Sequence, residues 1–171
     1  MDEHVLKSRL EALHPDAFGW ALGCCRRDPD AAREVLQMAY VKILDGRAQW
    51  NGHASFRTWV FAVVRNTAAD HRRGSWLRTL GLDRLQLFRR APEPSPDPET
   101  SAIGSEAARL LRRALDRLPD RQREVLHLVF YDGLTVDEAA DVMHVSPGAA
   151  RRHYQRGKER LHALLPRELR P

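Results

Sequence analysis

Residues 134–161 read LTVDEAADVMHVSPGAARRHYQRGKERL. Thr135 stands three residues ahead of Glu138, the spacing of a capping box. In that motif the hydroxyl accepts a backbone N–H three residues on and the carboxylate reaches back to the cap. A short helix is expected from there to about Met143, then a tight turn at His144-Val145. Ser146 supplies a second N-cap, and Pro147 falls at the first helical position, where its missing N–H costs nothing. The helix that follows is expected to run to about Leu165. It would bury Ala150, Tyr154, Gly157 and Leu161 and expose Arg151, Arg152, Gln155, Arg156, Lys158 and Arg160. From Ser146 to Arg160 its only acid is Glu159. A short helix, a tight turn and a capped basic helix make the helix-turn-helix layout. A helix of this kind fits the major groove, where Arg can bond guanine bidentately and Gln can do so with adenine, while the capped N-terminus favours a nearby phosphate. An αα-hairpin with a basic surface shares the outline; the agreement of spacing, small residues and caps favours the DNA-reading form. The turn position often held by Gly is His144, a residue that visits positive φ more readily than most.

Upstream, residues 109–133, RLLRRALDRLPDRQREVLHLVFYDG, predict two helices split at Leu118-Pro119. Leu110, Leu111, Ala114, Leu115 and Leu118 form one stripe, and Val125, Leu126, Val129 and Phe130 the other contact surface. These would scaffold the reading helix. Further upstream the composition breaks at residues 91–106, APEPSPDPETSAIGSE, where Pro92, Pro94, Pro96 and Pro98 forbid a helix and favour an extended path. A helical N-terminal domain, a linker and a helical C-terminal domain are therefore expected, without strands.

In the N-terminal part, residues 30–46, DAAREVLQMAYVKILDG, place Val35, Leu36, Ala39, Tyr40, Ile43 and Leu44 at helical spacing, with Gly46 just past the end. A polar loop spans residues 46–55, and Ser55 can cap the next helix, FRTWVFAVVRNTAADHRRG, residues 56–74. At about 100° per residue, Trp59, Val60, Val63, Val64 and Thr67 cluster on one side. Arg65, Arg72, Arg73 and, at the margin, Asn66 fall on the other. One face packs and the other is a cationic ridge, a pattern that a merely solvated face would share. Trp50 and Trp59 invite a base-stacking role; for Trp59, on the apolar side, core packing is the expected one.

The chain has 171 residues, 43% of them hydrophobic and 30% charged, enough to fold as one mid-sized domain or two small ones. Its net charge of +5 makes an acidic partner plausible and leaves nucleic acid, an anionic membrane and an acidic protein open. No run approaches the roughly 18 apolar residues of a membrane span, and the N-terminus lacks the apolar core of a signal peptide. Cys24 and Cys25 are adjacent and expected as reduced thiols of a cytoplasmic protein. The histidines lack the spacing of a zinc site. An enzyme would need a convergent set of acid, base or metal ligands. Asp70-His71 is the only suggestive pair, and neighbours on a helix do not face each other. No aromatic motif of RNA-binding type is present.

The two halves together, ASFRTWVFAVVRNTAADHRR and LPDRQREVLHLVFYDGLTVDEAADVMHVSPGAARRHYQRGKERL, resemble the extracytoplasmic-function (group IV) bacterial sigma factors of the sigma-70 family. The resemblance implies an all-α protein of two small helical domains joined by a flexible linker: region 2 over residues 1–75, linker over 76–106, region 4 over 107–171. Region 2 would bind core RNA polymerase, with Glu34, Gln37 and Met38 in the binding helix; Met38 departs from the acidic residue usual there. The same region would capture the non-template strand of the −10 element, with Arg65 and Asn66 as the melting pair, Arg72 and Arg73 as its basic end, and Asn51, Gly52 and His53 in the loop that pockets a flipped base. Region 4 would read the −35 duplex with Arg151, Arg152, His153, Gln155 and Arg156, of which Arg151 and Gln155 are expected on bases and Arg156 on phosphate. The linker, with Glu93, Asp97 and Glu99, would thread toward the polymerase cleft. An anti-sigma factor, often membrane-bound, is the further partner implied. No catalytic residue, cofactor, metal or small-molecule substrate is expected. The alternative within DNA binding is a stand-alone helix-turn-helix regulator, against which the lack of a preceding receiver-like β/α pattern counts.

Overall fold

The computed structural model describes residues 2–82 and 106–166. They form α1 (Glu3–Cys24), α2 (Pro29–Leu44), α3 (Phe56–Leu82), α4 (Glu106–Asp116), α5 (Asp120–Phe130), α6 (Val136–Met143) and α7 (Pro147–Leu164). No strand occurs among the described residues, so the all-α expectation holds. Helix α3 continues to Leu82, into the span expected as linker. Glu93, Asp97 and Glu99 lie outside the described residues. The chain groups into two compact units, Met1–Asn51 with Val63–Pro98 and Gly52–Ala62 with Glu99–Pro171. Helix α3 thus starts in the second and belongs to the first from Val63 on.

In the first unit, α1 packs against α2. Asp2 caps α1 by accepting from the His4 N–H, and Asp28 caps α2 by accepting from Asp30 and Ala31, with Pro29 at the first helical position. Leu10, Ala17, Trp20, Ala21 and Cys24 of α1 are buried, as are Ala32, Val35, Leu36, Ala39 and Ile43 of α2. Pro15 lies inside α1 without ending it. An interior proline costs about 3 kcal/mol; the nearly complete burial of Trp20 just beyond it offsets a cost of that order. The expected α2 stripe needs one correction. Leu44 is 42% exposed, because it sits in the last turn, while Tyr40 is half-buried with its hydroxyl 3.3 Å from His14 Nδ1. Burial pushes the Tyr40 phenol up to about 12. Cys24 is buried and Cys25 half-buried; neither is in a disulfide.

The second unit is built on α5, α6 and α7, which pack on one another, with α4 against α7. Ala114, Leu118, Val125, Leu126, Leu128, Leu134, Ala139, Ala140, Val142, Met143 and Ala150 are buried. The α5 surface differs from expectation: Leu128 is fully buried, Val129 half-buried, and Phe130 is 62% exposed. The buried arc of α5 centres on Val125, and Phe130 falls beyond its edge, where its ring stacks on Tyr154 at 6.0 Å. Tyr154 and Leu161 are half-buried; Ala150 and Gly157 carry the closest packing of α7.

Candidate nucleic-acid interface

The α6–α7 turn forms as the sequence predicts. The Thr135 hydroxyl oxygen accepts the Glu138 N–H at 3.2 Å, and the Glu138 carboxylate accepts the Thr135 N–H and hydroxyl at 2.8 Å each. Those bonds hold the Glu138 carboxyl below its ordinary range. His144 ends α6 in the left-handed region, φ 51° and ψ 50°. Arg121 Nη1 donates to the Met143 carbonyl at 3.1 Å, which closes the C-terminus of α6. Ser146 then accepts the Ala149 N–H at 3.2 Å and starts α7.

On α7, Arg151, Arg152, Gln155 and Arg156 are all exposed and share one side, while His153 is half-buried and rotated away from them. Two of these side chains already have carboxylate partners. Arg151 Nη2 lies 2.8 and 3.0 Å from the two carboxylate oxygens of Asp137 on α6. Gln155 Nε2 donates to Glu159 at 3.1 Å, so the one acid of the stretch sits on the basic face. Lys158 lies over the Tyr154 ring at 4.6 Å.

In α3, Ser55 accepts the Thr58 N–H at 3.1 Å, as expected of a cap. Val60, Val64 and Thr67 are buried as read, joined by Phe56, Phe61 and Ala68, which the stripe omitted. Trp59 is half-buried against Phe56, with ring centroids 5.5 Å apart. The residues of the ridge differ in how they are held. Arg65 is half-buried and Asn66 exposed. Arg72 Nη1 donates to the Cys24 carbonyl at 2.7 Å and so closes the end of α1. Arg73 pairs with Asp70 at 2.7 Å, and Asp70 also receives Lys42 at 3.1 Å. Hydrogen bonds from Arg73 and then Lys42 hold the Asp70 carboxyl below its usual value. His71 pairs instead with Glu34 at 3.1 Å, so Asp70 and His71 have separate partners. Asn51, Gly52 and His53 are exposed in the loop, Gly52 at φ 80°. Trp50 beside them is half-buried beneath the Arg9 guanidinium, 5.0 Å from its ring centre.

On α2, Glu34, Gln37 and Met38 are exposed along one side. The sequence reading missed that Val41 and Leu44 extend this side: they are 43% and 42% exposed, beside Met38 at 37%. An i, i+3 spacing from Met38 would have shown it. No described helix is long and apolar enough to cross a membrane.

A capped helix-turn-helix in one unit, and in the other a helix pair with a basic ridge, define the class: an all-α protein with a DNA-reading module. Family models agree in both halves. Residues 10–78 match Sigma-70 region 2 and residues 108–161 match Sigma-70, region 4. The chain is 29% identical over 170 residues to the ECF RNA polymerase sigma factor ShbA of Streptomyces griseus subsp. griseus, covering 95% of this chain and 88% of that one. It is also 29% identical over 133 residues to the probable RNA polymerase sigma factor RfaY of Xanthomonas campestris pv. campestris, covering 77% of this chain and only 33% of RfaY. In fold it is similar to the sigma factor RpoE solved with the anti-sigma factor NepR from Bartonella quintana, with a TM-score of 0.71, 21% identity, and coverage of 93% of this chain and 95% of that one. The chain belongs to the sigma-70 family of RNA polymerase sigma factors, in its extracytoplasmic-function group.

Proposed function

We propose that this chain is a dissociable subunit of bacterial RNA polymerase that binds the core enzyme, selects promoters and starts transcription. The observation that carries this reading is the presence in one chain of both sigma-70 regions, with the region 4 helix-turn-helix intact and Arg151, Arg152, Gln155 and Arg156 exposed on one side of α7. Region 2 takes residues 1–75, region 4 takes 107–171, and 76–106 link them. Neutralising phosphates supplies affinity, and base-edge bonds in the major groove supply choice at the −35 duplex. Strand capture at −10 uses Arg65, Asn66 and the Asn51–Gly52–His53 loop, where unstacked bases are held by pockets and stacking. Arg73 contributes charge there. Arg72 belongs to the same basic end, while its Nη1 also donates to the Cys24 carbonyl. Glu34, Gln37 and Met38, with Val41 and Leu44, form the polymerase-binding side. The protein works in the cytoplasm, catalyses no reaction itself, and is held in check by an anti-sigma factor, the kind of partner with which RpoE was solved.

Run-off transcription with purified core polymerase, on the upstream region of the protein's own gene, tests this. A discrete transcript that depends on the protein is the expected result. Tight, core-independent binding to a duplex without any transcript would favour a stand-alone regulator. Direct binding to core polymerase separates the two if that promoter is silent.

A further inference from the structure

We propose that Asp137 is a positioning residue for −35 recognition: it holds Arg151 in the orientation that reads a base and keeps it from the phosphates. The inference rests on the promoter-reading role of α7 and names a residue that this role does not require in advance.

The geometry is specific. Arg151 Nη2 meets both oxygens of Asp137, at 2.8 and 3.0 Å, across the turn and from a different helix. The backbones at both ends are fixed. Asp137 lies in the first turn of α6, which the Thr135–Glu138 capping box locks. Arg151 follows Ala150, which is fully buried in the second unit. Only the two side chains are left to move, and the pair favours the rotamers that bring them together. Their side chains are 63% and 60% exposed, so the pair does little for folding. What it does set is where the guanidinium points. One terminal nitrogen is committed to Asp137, and Nη1 and Nε remain as donors toward a ligand. A long arginine otherwise loses rotamer freedom on binding a base edge, and ordering it beforehand lowers that cost. The carboxylate also disfavours approach of a phosphate to the same spot, which turns a general cation into a discriminating one. Asp137 suits its place for a second reason: a carboxylate in the first turn of a helix is favoured by the helix dipole.

The test is selection from a randomised duplex library by the full chain bound to core polymerase, followed by affinities for the selected site and its single-base variants. Wild type is compared with Asp137→Ala, Asp137→Glu and Arg151→Ala, and with Asp137→Ala combined with Arg151→Ala. Asp141→Asn is the charge control, being an exposed acid on the same helix. Asp137→Ala is expected to lower discrimination at one −35 base pair about tenfold, the scale of a single bidentate arginine contact. It should bind unrelated duplex more tightly, with a salt slope steeper by about one as Arg151 turns to phosphate. Asp137→Glu should restore the preference. At that base pair the double variant should match Arg151→Ala, with no further loss. Asp141→Asn should raise affinity for all sequences alike. If Asp137→Ala keeps the full preference, or behaves like Asp141→Asn, the positioning role is wrong while promoter reading stands. If wild type itself enriches no sequence, promoter reading fails and the inference falls with it.

Discussion

Replacing Gly157 tests how the recognition helix is seated. A Cβ at this position would lie 3.2 Å from Leu126 Cδ1, 3.3 Å from Leu126 Cγ and 3.4 Å from Gln122 Cβ. Leu126 is only 2% exposed, so its side chain cannot swing into solvent to make room. Two effects of similar size compete in Gly157→Ala. Alanine is favoured over glycine inside a helix by about 1 kcal/mol, and overpacking a tight core costs about 1–3 kcal/mol. A shift of a few tenths of an ångström puts the cost near its lower end, so the alanine variant should fall within about 1 kcal/mol of wild type. Valine regains less helix propensity and adds two methyl groups at the same contact, so Gly157→Val should lose about 2–3 kcal/mol. For a unit of this size that corresponds to a drop of about 10 °C or more in the unfolding midpoint. Hydrogen exchange of α5 and α7 amides in the full chain, alongside calorimetry, reads the second unit directly. The valine variant should also bind −35 duplex more weakly, because α7 moves off α5. A valine variant as stable as wild type would refute the close seating of α7 on α5.

Other substitutions separate packing from recognition. His144→Gly should stabilise the second unit by about 0.5–1 kcal/mol, since glycine takes the left-handed turn without steric cost; chemical denaturation measures it, and a loss of stability would show that the imidazole matters more than the turn. Arg72→Ala removes the donor to the Cys24 carbonyl and should cost the first unit about 1–2 kcal/mol; a normal denaturation midpoint with defective strand opening would instead place Arg72 on DNA. Arg65→Ala with Asn66→Ala should leave duplex binding near normal and reduce promoter melting, as permanganate footprinting of open complexes would report. Asp70 is held below its usual carboxylate range by Arg73 and Lys42. Its contribution is therefore present above the unfolded-state value near about 3.9 and is lost as pH falls through the lower folded value. Asp70→Asn should weaken the first unit slightly at neutral pH and flatten its acid unfolding below about pH 4, which a pH series of thermal melts would show.

The helix-turn-helix was legible almost residue by residue because its signals are local. Thr135, Glu138, Ser146 and Pro147 act within one helical turn, and His144 tolerates the conformation that the turn requires. Stripes were less secure. Periodicity says which residues share a side but not where the neighbouring helix ends, so Leu44 and Phe130 were read as buried and are exposed, while Leu128, Phe56 and Phe61 were left out. The helix α1, which passes through Pro15, is set by the burial of Trp20 against the rest of its unit and not by a local rule. At the candidate interface, the exposed arginines of α7 could be read from helical phase. Their carboxylate partners could not: Asp137 reaches Arg151 only because the turn folds α6 back toward α7. Arg72, likewise, carries the charge of a DNA ligand, and only the folded chain shows that its Nη1 also donates to the Cys24 carbonyl.

The neighbouring thiols near the end of α1 bear on how this protein can be followed in solution. Cys24 is buried, and burial pushes the Cys25 thiol up to about 11 despite the lowering influence of Arg72. At neutral pH Cys25 is then less often a thiolate than an ordinary exposed cysteine. Maleimide dyes react with the thiolate, so the native pair should label more slowly than an exposed cysteine. A single cysteine introduced in the exposed 51–53 loop should take the dye faster than either natural thiol, and a fluorophore there would test the proposed capture of a DNA base in real time.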